Sequence, residues 1–516
     1  MTAGRITALI SRFRRDTKGN IVVIFAIATV PLITAVGCAT DYSMATRMKA
    51  KLQSSADTAS LAAISVNSAG WLAASQMSSN GSVAAGVTES NNIFNGNAST
   101  FSGYQNLAVN STVTKTGATL TNNVTFSADV PVTFMKVAGW STMHISGSSN
   151  SSSSLPLYLD FYLMLDVSGS MGLPSTAAEA VRMQNINPDN YRQYPTGCTL
   201  ACHFAPQNSA CTDGGTQGYP TNNYCMGYAI SRVSQSGYAA LLQTNNSNPM
   251  HKQLPSTVVS SLPSLPLTSV TSCSTDGTDA CIQLRLDAVG YAVNQLFSTA
   301  NGKAVVANQF RIGLYPFIQS LYSYFPLTSS INGSVNNSST INYAAANLAT
   351  LLDTNMNANL GSGGTHIDTA ITSMNSVITS VGNGTTSNNT LPYVFLVTDG
   401  AQDPQTKGVP NGGWAGSNHA TTIDPSICSS LKTRGIKVSV LYIPYVTINP
   451  VNASFANDED DAANNNISSI PASLQGCASP SDSSGSYFYT ANTPADINNA
   501  LTAMFNHALT VAHITN

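Results

Sequence analysis

Five oxygen-bearing side chains, at three places along the chain, have the types and spacing of a metal site. Asp166, Ser168 and Ser170 alternate in the run Asp-Val-Ser-Gly-Ser, so one carboxylate and two hydroxyls come from one tight turn. Thr365 follows a Gly-Ser-Gly-Gly run, and Asp399 stands in the triplet Thr-Asp-Gly. Hard oxygen ligands of this kind suit Mg²⁺, which keeps several of its waters. The sequence therefore predicts one Mg²⁺ or Mn²⁺ bound by these five residues.

Two apolar runs of strand length would hold these side chains at one edge of a sheet. Residues 158–165 read YLDFYLML and end directly before Asp166, and residues 393–397 read YVFLV and end two residues before Asp399. Continuous apolar runs are typical of central strands that are buried on both faces. Ligands of open α/β sheets lie outside the carboxyl ends of the strands. We therefore expect Asp166 and Asp399 to lie at the same sheet edge.

The segments around these runs alternate between strand and helix. They predict helices at 284–297, 366–379, 424–435 and 494–509, a strand pair at 310–317 and 320–327, and strands at 436–443 and 486–490. This order predicts an α/β fold with a doubly wound, mostly parallel sheet over residues 155–516. The segment at about 172–280 interrupts the pattern beside the metal site.

The three oxygen-bearing elements, in this order, resemble the metal-ion-dependent adhesion site of the von Willebrand factor A family. The resemblance implies a Rossmann-like fold in which Asp166, Ser168 and Ser170 form the first loop, Thr365 the second and Asp399 the third, often through water. It also implies that one coordination position stays open for an acidic side chain of a protein partner. In that family the first helix follows the first loop almost at once, so the resemblance identifies the segment at about 172–280 as a large insertion that contains cysteines. The alternative interpretation of the first motif is a helix cap made by its aspartate and first serine.

The N-terminal segment has the composition of a membrane anchor. Residues 20–40 contain no charged side chain and are strongly apolar, and about 20 such residues cross a bilayer. Basic residues dominate before this segment, so the N-terminus is predicted to lie in the cytoplasm. We expect a single-pass protein of the bacterial cytoplasmic (inner) membrane, with its C-terminal domain periplasmic or extracellular. The alternatives are a cleaved signal peptide and a lipoprotein that begins at Cys38. The helical spacing that continues to Ala62 favours the uncleaved anchor.

The same segment resembles the N-terminal region of TadE/TadG-like proteins of the tight-adherence (Flp) pilus system. The matching positions are Gly19, Asp41, Leu52, Gln53, Asp57, Ala59, Leu61 and Ala62. The resemblance implies a part in pilus assembly, with other pilus or secretion components as partners. Ile24 stands where prepilin processing usually requires Glu, so we do not expect cleavage after the glycine.

These observations divide the chain into three predicted parts. Residues 1–66 hold the basic tail, the membrane helix and its extension. Residues 67–154 are rich in Ser and Asn and are predicted to form a small β-rich stalk that ends in a flexible linker at 146–154. Residues 155–516 form the predicted von Willebrand factor A-type domain.

Cysteine content and charge limit the function further. Eight cysteines follow Cys38, namely Cys198, Cys202, Cys211, Cys225, Cys273, Cys281, Cys428 and Cys477. They predict up to four disulfides and an oxidising compartment. The net charge is -3 and only 9% of residues are charged, which gives no basic surface for a nucleic acid.

The sequence contains no catalytic motif that we recognise, such as a phosphate-binding loop, HExxH or GxSxG. We therefore predict that the protein is not an enzyme. The predicted function is that of a membrane-anchored, exported, metal-dependent binding protein in Flp pilus assembly or adhesion. A surface adhesin unconnected with pili is the alternative, and a metal-dependent hydrolase is the least favoured.

Overall fold

The structure is a computed structural model that forms two compact units, Met1–Leu155 and Pro156–Asn516. The predicted parts 1–66 and 67–154 thus fall in one unit. The structure describes residues 20–186, 232, 234–239, 243–245, 248–253, 272–353, 357–409, 414–417, 419–447 and 461–514.

The first unit begins with a long helix, α1 (Asn20–Ala62). The side chains of its first half are mostly exposed, although they are apolar, whereas Leu52, Ala56 and Ala59 in its second half are fully buried. Among the described residues, α1 is the one helix with the length and apolar composition to cross a membrane, over Val22–Ala62. The threonine hydroxyls of its first half donate to backbone carbonyls four residues earlier, which satisfies them without water.

The rest of the first unit is a four-stranded antiparallel sheet with two short helices. The elements are α2 (Ala69–Gln76), β1 (Gly81–Ser82), α3 (Ala84–Ala98), β2 (Gln105–Thr116), β3 (Thr119–Pro131) and β4 (Thr142–Ser154), and the sheet order is β1-β2-β3-β4. The two helices were not predicted. They form because Trp71 and Phe94 bury their rings, and because the Ser68 hydroxyl caps α2 by accepting from the Trp71 N–H.

The prediction of a flexible linker at 146–154 was wrong. These residues belong to β4, which pairs with β3 over its whole length. The Ser60 hydroxyl lies 2.9 Å from the hydroxyl of Ser149 and 2.8 Å from that of Ser151. Small serine side chains therefore let α1 approach the strand closely, and composition alone did not show this pairing.

Two polar side chains of α1 hold it to the rest of the unit. Asp41 is buried and accepts from the backbone N–H groups of Thr133, Phe134 and Met135 at 3.0, 2.8 and 2.8 Å. Gln53 donates to the Ser148 carbonyl at 2.8 Å. The first contact fixes the β3–β4 loop, and the second fixes β4.

The second unit contains a six-stranded sheet in the order β14-β13-β10-β5-β8-β9. Every pairing in it is parallel except that of β8 with β9. Its strands are β5 (Leu159–Asp166), β8 (Phe310–Phe317), β9 (Phe325–Thr328), β10 (Leu391–Thr398), β13 (Lys437–Tyr442) and β14 (Phe488–Thr490). Four short strands lie outside this sheet, namely β6 (Gln243–Asn245), β7 (Asn248–Gln253), β11 (Thr406–Lys407) and β12 (Trp414–Ala415).

Helices cover both faces of the six-stranded sheet. On one face Phe161 of β5 meets Phe505, with 5.2 Å between the ring centroids. On the other face Met164 packs in a cluster with Ile371 and Leu474. The helices are α4 (Ala177–Ile186), α5 (Gln235–Ala239), α6 (Arg285–Lys303), α7 (Ile341–Ala346), α8 (Ile367–Val377), α9 (Ser429–Lys432), α10 (Asp461–Asn466), α11 (Ile470–Cys477) and α12 (Pro494–Ile514).

Two disulfides lie in the described part of the second unit. They join Cys273 to Cys281 and Cys428 to Cys477, whereas Cys38 of the first unit is a free thiol. The remaining four predicted disulfide cysteines, Cys198, Cys202, Cys211 and Cys225, lie outside the described residues. Most of the predicted insertion at 172–280 lies outside them as well.

The Cys428–Cys477 disulfide is expected to contribute strongly to stability, because it closes a loop of 49 residues. Replacing both cysteines by alanine should lower the free energy of unfolding of the second unit by about 4 kcal/mol, from the lost restriction of the unfolded chain. Urea denaturation followed by circular dichroism measures this loss. In reducing buffer the free energies of unfolding of the variant and the wild type should differ little. If this difference is the same with and without reductant, the prediction is wrong.

Candidate metal centre

The end of β5 presents the first of the predicted ligands. Asp166 is fully buried, and its Oδ1 accepts from the Ser168 N–H at 2.9 Å. Its Oδ2 accepts from the hydroxyl of Thr398 at 2.6 Å, which orients the carboxylate from the neighbouring strand β10. The hydroxyls of Ser168 and Ser170 lie 3.4 Å apart. The tight turn therefore brings the three predicted oxygens of the first loop together.

Asp399 follows directly at the end of β10 and is also fully buried. Its carboxylate oxygens make no hydrogen bond of normal geometry, although the hydroxyl of Ser170 and the backbone N–H of Ala401 lie close enough to lower its pKa. The opposite charge nearest to it is on Arg285, whose Nη1 lies 3.9 Å from Oδ2, which is too far for a hydrogen bond. A buried carboxylate that is compensated this weakly is costly, so its oxygens are suited to bind a cation. The residues present therefore fit a divalent metal.

The protonation of the two carboxyl groups reflects their burial. Burial raises the pKa of Asp166 above its ordinary value, against the hydrogen bonds that lower it. Burial, and then the charge of Asp166, raise the pKa of Asp399 to about 7, although Arg285 and the nearby hydroxyl of Ser170 oppose this rise. Two buried carboxylates close enough to repel each other hold a proton more readily than either alone. A bound cation would reverse this preference.

Thr365 is held by backbone hydrogen bonds to the third loop. Its N–H and carbonyl exchange hydrogen bonds with those of Asp403, both at 2.9 Å, four residues after Asp399. Gly364 just before it has φ +67°, and a Cβ there would collide with the carbonyls of Asp403 and Gln405. The glycine is needed for this approach. The structure thus joins the second loop to the third, and Thr365 is buried there.

Asp353 supports the site but was not singled out in the sequence. Its carboxylate accepts from the Ser362 hydroxyl at 2.7 Å and from the Gly363 N–H at 2.8 Å, while its own N–H donates to the Val167 carbonyl at 3.1 Å. It therefore joins the glycine-rich loop to the turn that follows Asp166. No local pattern around Asp353 indicates this role.

Gln402 and Thr398 were missed as well. The Gln402 carbonyl oxygen accepts from the Ile367 N–H at 2.9 Å, and its amide donates to the carboxylate of Asp368 at 2.8 Å. Gln402 thus caps α8 from the third loop. Thr398 could have been found, because a hydroxyl one residue before Asp399, at the end of a central strand, is well placed to orient a ligand.

We predict that Asp353→Ala weakens metal binding without removing a ligand. Residues that orient metal ligands typically cost about 10- to 100-fold in affinity when they are replaced. Calorimetric titration with Mn²⁺ and Mg²⁺ would measure the change, with Asp276→Ala, an exposed carboxylate of the same unit, as the matched control. Equal affinity in the two variants would show that Asp353 does not support the site.

Among the described residues, no three His, Cys, Asp or Glu side chains cluster as a metal site. The candidate centre holds two carboxylates, Asp166 and Asp399, and its other oxygens are hydroxyls. Such a donor set excludes a soft-metal site of the thiolate or imidazole kind and suits a hard cation.

The N-terminal region matches the model of a known protein family. Residues 19–75 match the family model described as "Putative Flp pilus-assembly TadE/G-like". This match confirms the resemblance predicted for the segment. The contacts of Asp41 and Gln53 give a structural reason for two of the shared residues, because each holds α1 to the sheet of the same unit.

Several solved structures are similar to the chain at low identity. The pilus adhesin SpaC from Lactobacillus rhamnosus GG, in its open conformation, is 11% identical over 79% of this chain and 34% of its own, with a TM-score of 0.30. A mutant of the PilB minor pilin from Streptococcus sanguinis is 10% identical over 80% of this chain and 81% of its own, with a TM-score of 0.32. The vWF domain of the type V pili tip protein Mfa5 from Porphyromonas gingivalis is 14% identical over 48% and 93%, with a TM-score of 0.25.

TM-scores this low do not establish a shared fold. This chain spans about a third of the length of SpaC. No curated protein matches the chain by sequence.

Proposed function

We propose that the chain is a membrane-anchored, exported, metal-dependent binding protein that acts in Flp pilus assembly or adhesion. The observation that carries the proposal is the buried carboxylate of Asp399, which makes no hydrogen bond of normal geometry and lies close enough to Asp166 for their charges to repel. Arg285, at 3.9 Å, compensates at most one of the two negative charges, and a bound cation would compensate the other. The family match at residues 19–75 supports the assignment to the pilus system.

In this proposal the second unit is a doubly wound von Willebrand factor A-type domain with an insertion at about 172–280. Asp166, Ser168, Ser170, Thr365 and Asp399 would hold Mg²⁺ or Mn²⁺. A hard cation with one open position supplies a strong, switchable contact for a carboxylate of a protein partner. The partners would be other pilus or secretion components, and the role is binding rather than catalysis.

Residues 20–40 would form the single membrane crossing. The exposed apolar side chains of this part of α1 and the basic residues before it support a cytoplasmic N-terminus in the inner membrane. The C-terminal unit would then be periplasmic or extracellular. Protease added to spheroplasts should digest the C-terminal unit and spare an N-terminal tag, and the opposite pattern would reverse the proposed orientation.

The function is tested best in the bacterium that carries the gene. Asp166→Ala, introduced in the chromosome, should reduce surface pili or attachment while the amount of the protein in the membrane fraction stays unchanged. Asp276→Ala serves as the matched control and should behave as the wild type. Normal pili with reduced attachment would favour an adhesin unconnected with pilus assembly. Normal pili together with normal attachment would contradict the proposed function.

A further inference from the structure

The loop between β3 and β4 carries an exposed apolar surface that the metal centre does not use. We call residues 132–141 the apolar loop. Its side chains of Phe134, Val137 and Trp140 are 43%, 80% and 59% exposed. Lys136 is its one charged residue, and it is exposed too. Large apolar side chains grouped on one loop need a covering surface.

The apolar loop is attached to α1 where the apolar segment of that helix ends. Gly37 lies so close to Phe134 that a Cβ at position 37 would collide with its side chain. One turn later, Asp41 accepts from the three N–H groups of residues 133–135. Gly37 is three residues before Thr40, which is about 4.5 Å of helix rise. Phe134 therefore lies beside the last turn of the segment that we propose to span the membrane.

The backbone of the apolar loop is suited to contact with lipid. Besides the three N–H groups that Asp41 accepts, the N–H groups of Val137, Gly139 and Trp140 donate to carbonyls of the same loop at 3.0 to 3.2 Å. A polar backbone group left without a partner would be costly next to hydrocarbon. This loop offers mainly side chains to its surroundings, and the buried carboxylate of Asp41 holds it in place.

The chemistry of the exposed side chains fits the boundary between lipid and water. Trp140 in the loop and Tyr42 on α1, which is also exposed, have the amphipathic rings that are enriched at membrane interfaces. The stem of Lys136 can lie along apolar surface while its ammonium group reaches water or phosphate. These residues, like Gly37, lie near the end of the proposed membrane crossing.

We propose that Phe134, Val137 and Trp140 insert into the outer interface of the same bilayer that residues 20–40 cross. The apolar loop is then a second membrane contact, which fixes the orientation of the first unit against the membrane surface. The proposal rests on the proposed membrane anchor. Its occupant is lipid, because the loop continues the exposed apolar surface of the anchoring helix.

Tryptophan fluorescence of the full-length protein tests this contact. The protein is reconstituted into phosphatidylcholine vesicles with or without lipids that are brominated near the glycerol backbone. The bromines should quench part of the wild-type emission, and Trp140→Phe should remove that quenched part. Trp414→Phe is the matched control and should retain the quenching. Trp140 is exposed, so its replacement by phenylalanine leaves the packed core of the unit intact.

The outcomes separate this inference from the membrane anchor. If the wild type floats with the vesicles and Trp140→Phe shows the same quenching as the wild type, the anchor stands and the second contact is refuted. If a photocrosslinking residue at position 137 captures a protein in cells while Trp140 stays unquenched, the loop binds protein instead and the inference is wrong. If the wild type does not float, both the anchor and the second contact fail.

Discussion

Replacing Asp166 by alanine should abolish binding of Mg²⁺ and Mn²⁺ to the second unit. The substitution removes one of the two carboxylates of the candidate centre and leaves the hydroxyl of Thr398 without its acceptor. Since loss of a supporting residue typically costs about 10- to 100-fold in affinity, loss of a charged ligand should exceed about 100-fold. Calorimetric titration of the full-length protein in detergent gives the affinity directly.

Asp276→Ala is the control for this experiment, because it removes an exposed carboxylate of the same unit that is none of the five predicted ligands. Circular dichroism would verify that both variants remain folded. If Asp166→Ala binds the metal as tightly as the control does, the five-residue site is wrong, whatever the identity of the partner.

Metal affinity should also fall steeply as the pH drops below 7. Without metal, the pKa of Asp399 is raised to about 7, so its carboxyl group increasingly holds a proton that the metal must displace. One pH unit below its pKa a group is only about one-tenth ionised, so the affinity should fall about tenfold between pH 8 and pH 6. Titrations in buffers of different ionisation enthalpy should detect about one proton released per metal at pH 6 and almost none at pH 8.

The same carboxyl group predicts how stability depends on pH. Its pKa in the folded protein lies above its ordinary value of 3.8, so the folded state binds the extra proton between about pH 4 and pH 7. Without metal, the free energy of unfolding should therefore decrease as the pH rises through this window. Saturating Mg²⁺ should remove the decrease. Asp399→Asn keeps the other titrating groups and should lack this contribution, so a metal-free wild type with the same pH dependence as Asp399→Asn would contradict the raised pKa.

The sequence predicted the strands that carry the site because their residues are buried on both faces. The runs before Asp166 and Asp399 became β5 and β10, which pair in parallel at the centre of the sheet. The pair predicted at 310–317 and 320–327 corresponds to β8 and β9, although β9 begins only at Phe325. Such strands are determined by local apolar composition, which a single sequence displays.

The sequence did not predict what depends on contacts between distant segments. The serines of 146–154 looked like a linker, yet β3 and α1 hold them in a strand. Asp353 stands in no recognisable motif, and its partners Ser362 and Val167 lie in two other loops. Hydrogen bonds between residues far apart in the chain produce no periodic pattern in the sequence. The local composition of a segment indicates whether it is buried, whereas hydrogen bonds between distant polar residues form only in the folded chain.

The position of β5 in the sheet also determines how the second unit responds to tension. Asp166 ends this strand, and its other end continues through a few residues to the first unit, which the proposed function anchors in the membrane. A partner held at the metal would pull β5 along its own axis. Since β5 is paired on one side over Leu159–Asp166 and on the other over Leu159–Leu165, the pull would load all of these backbone hydrogen bonds in shear. Hydrogen bonds loaded in shear must break together and not one after another. The second unit would therefore withstand the drag that a moving or attached filament exerts.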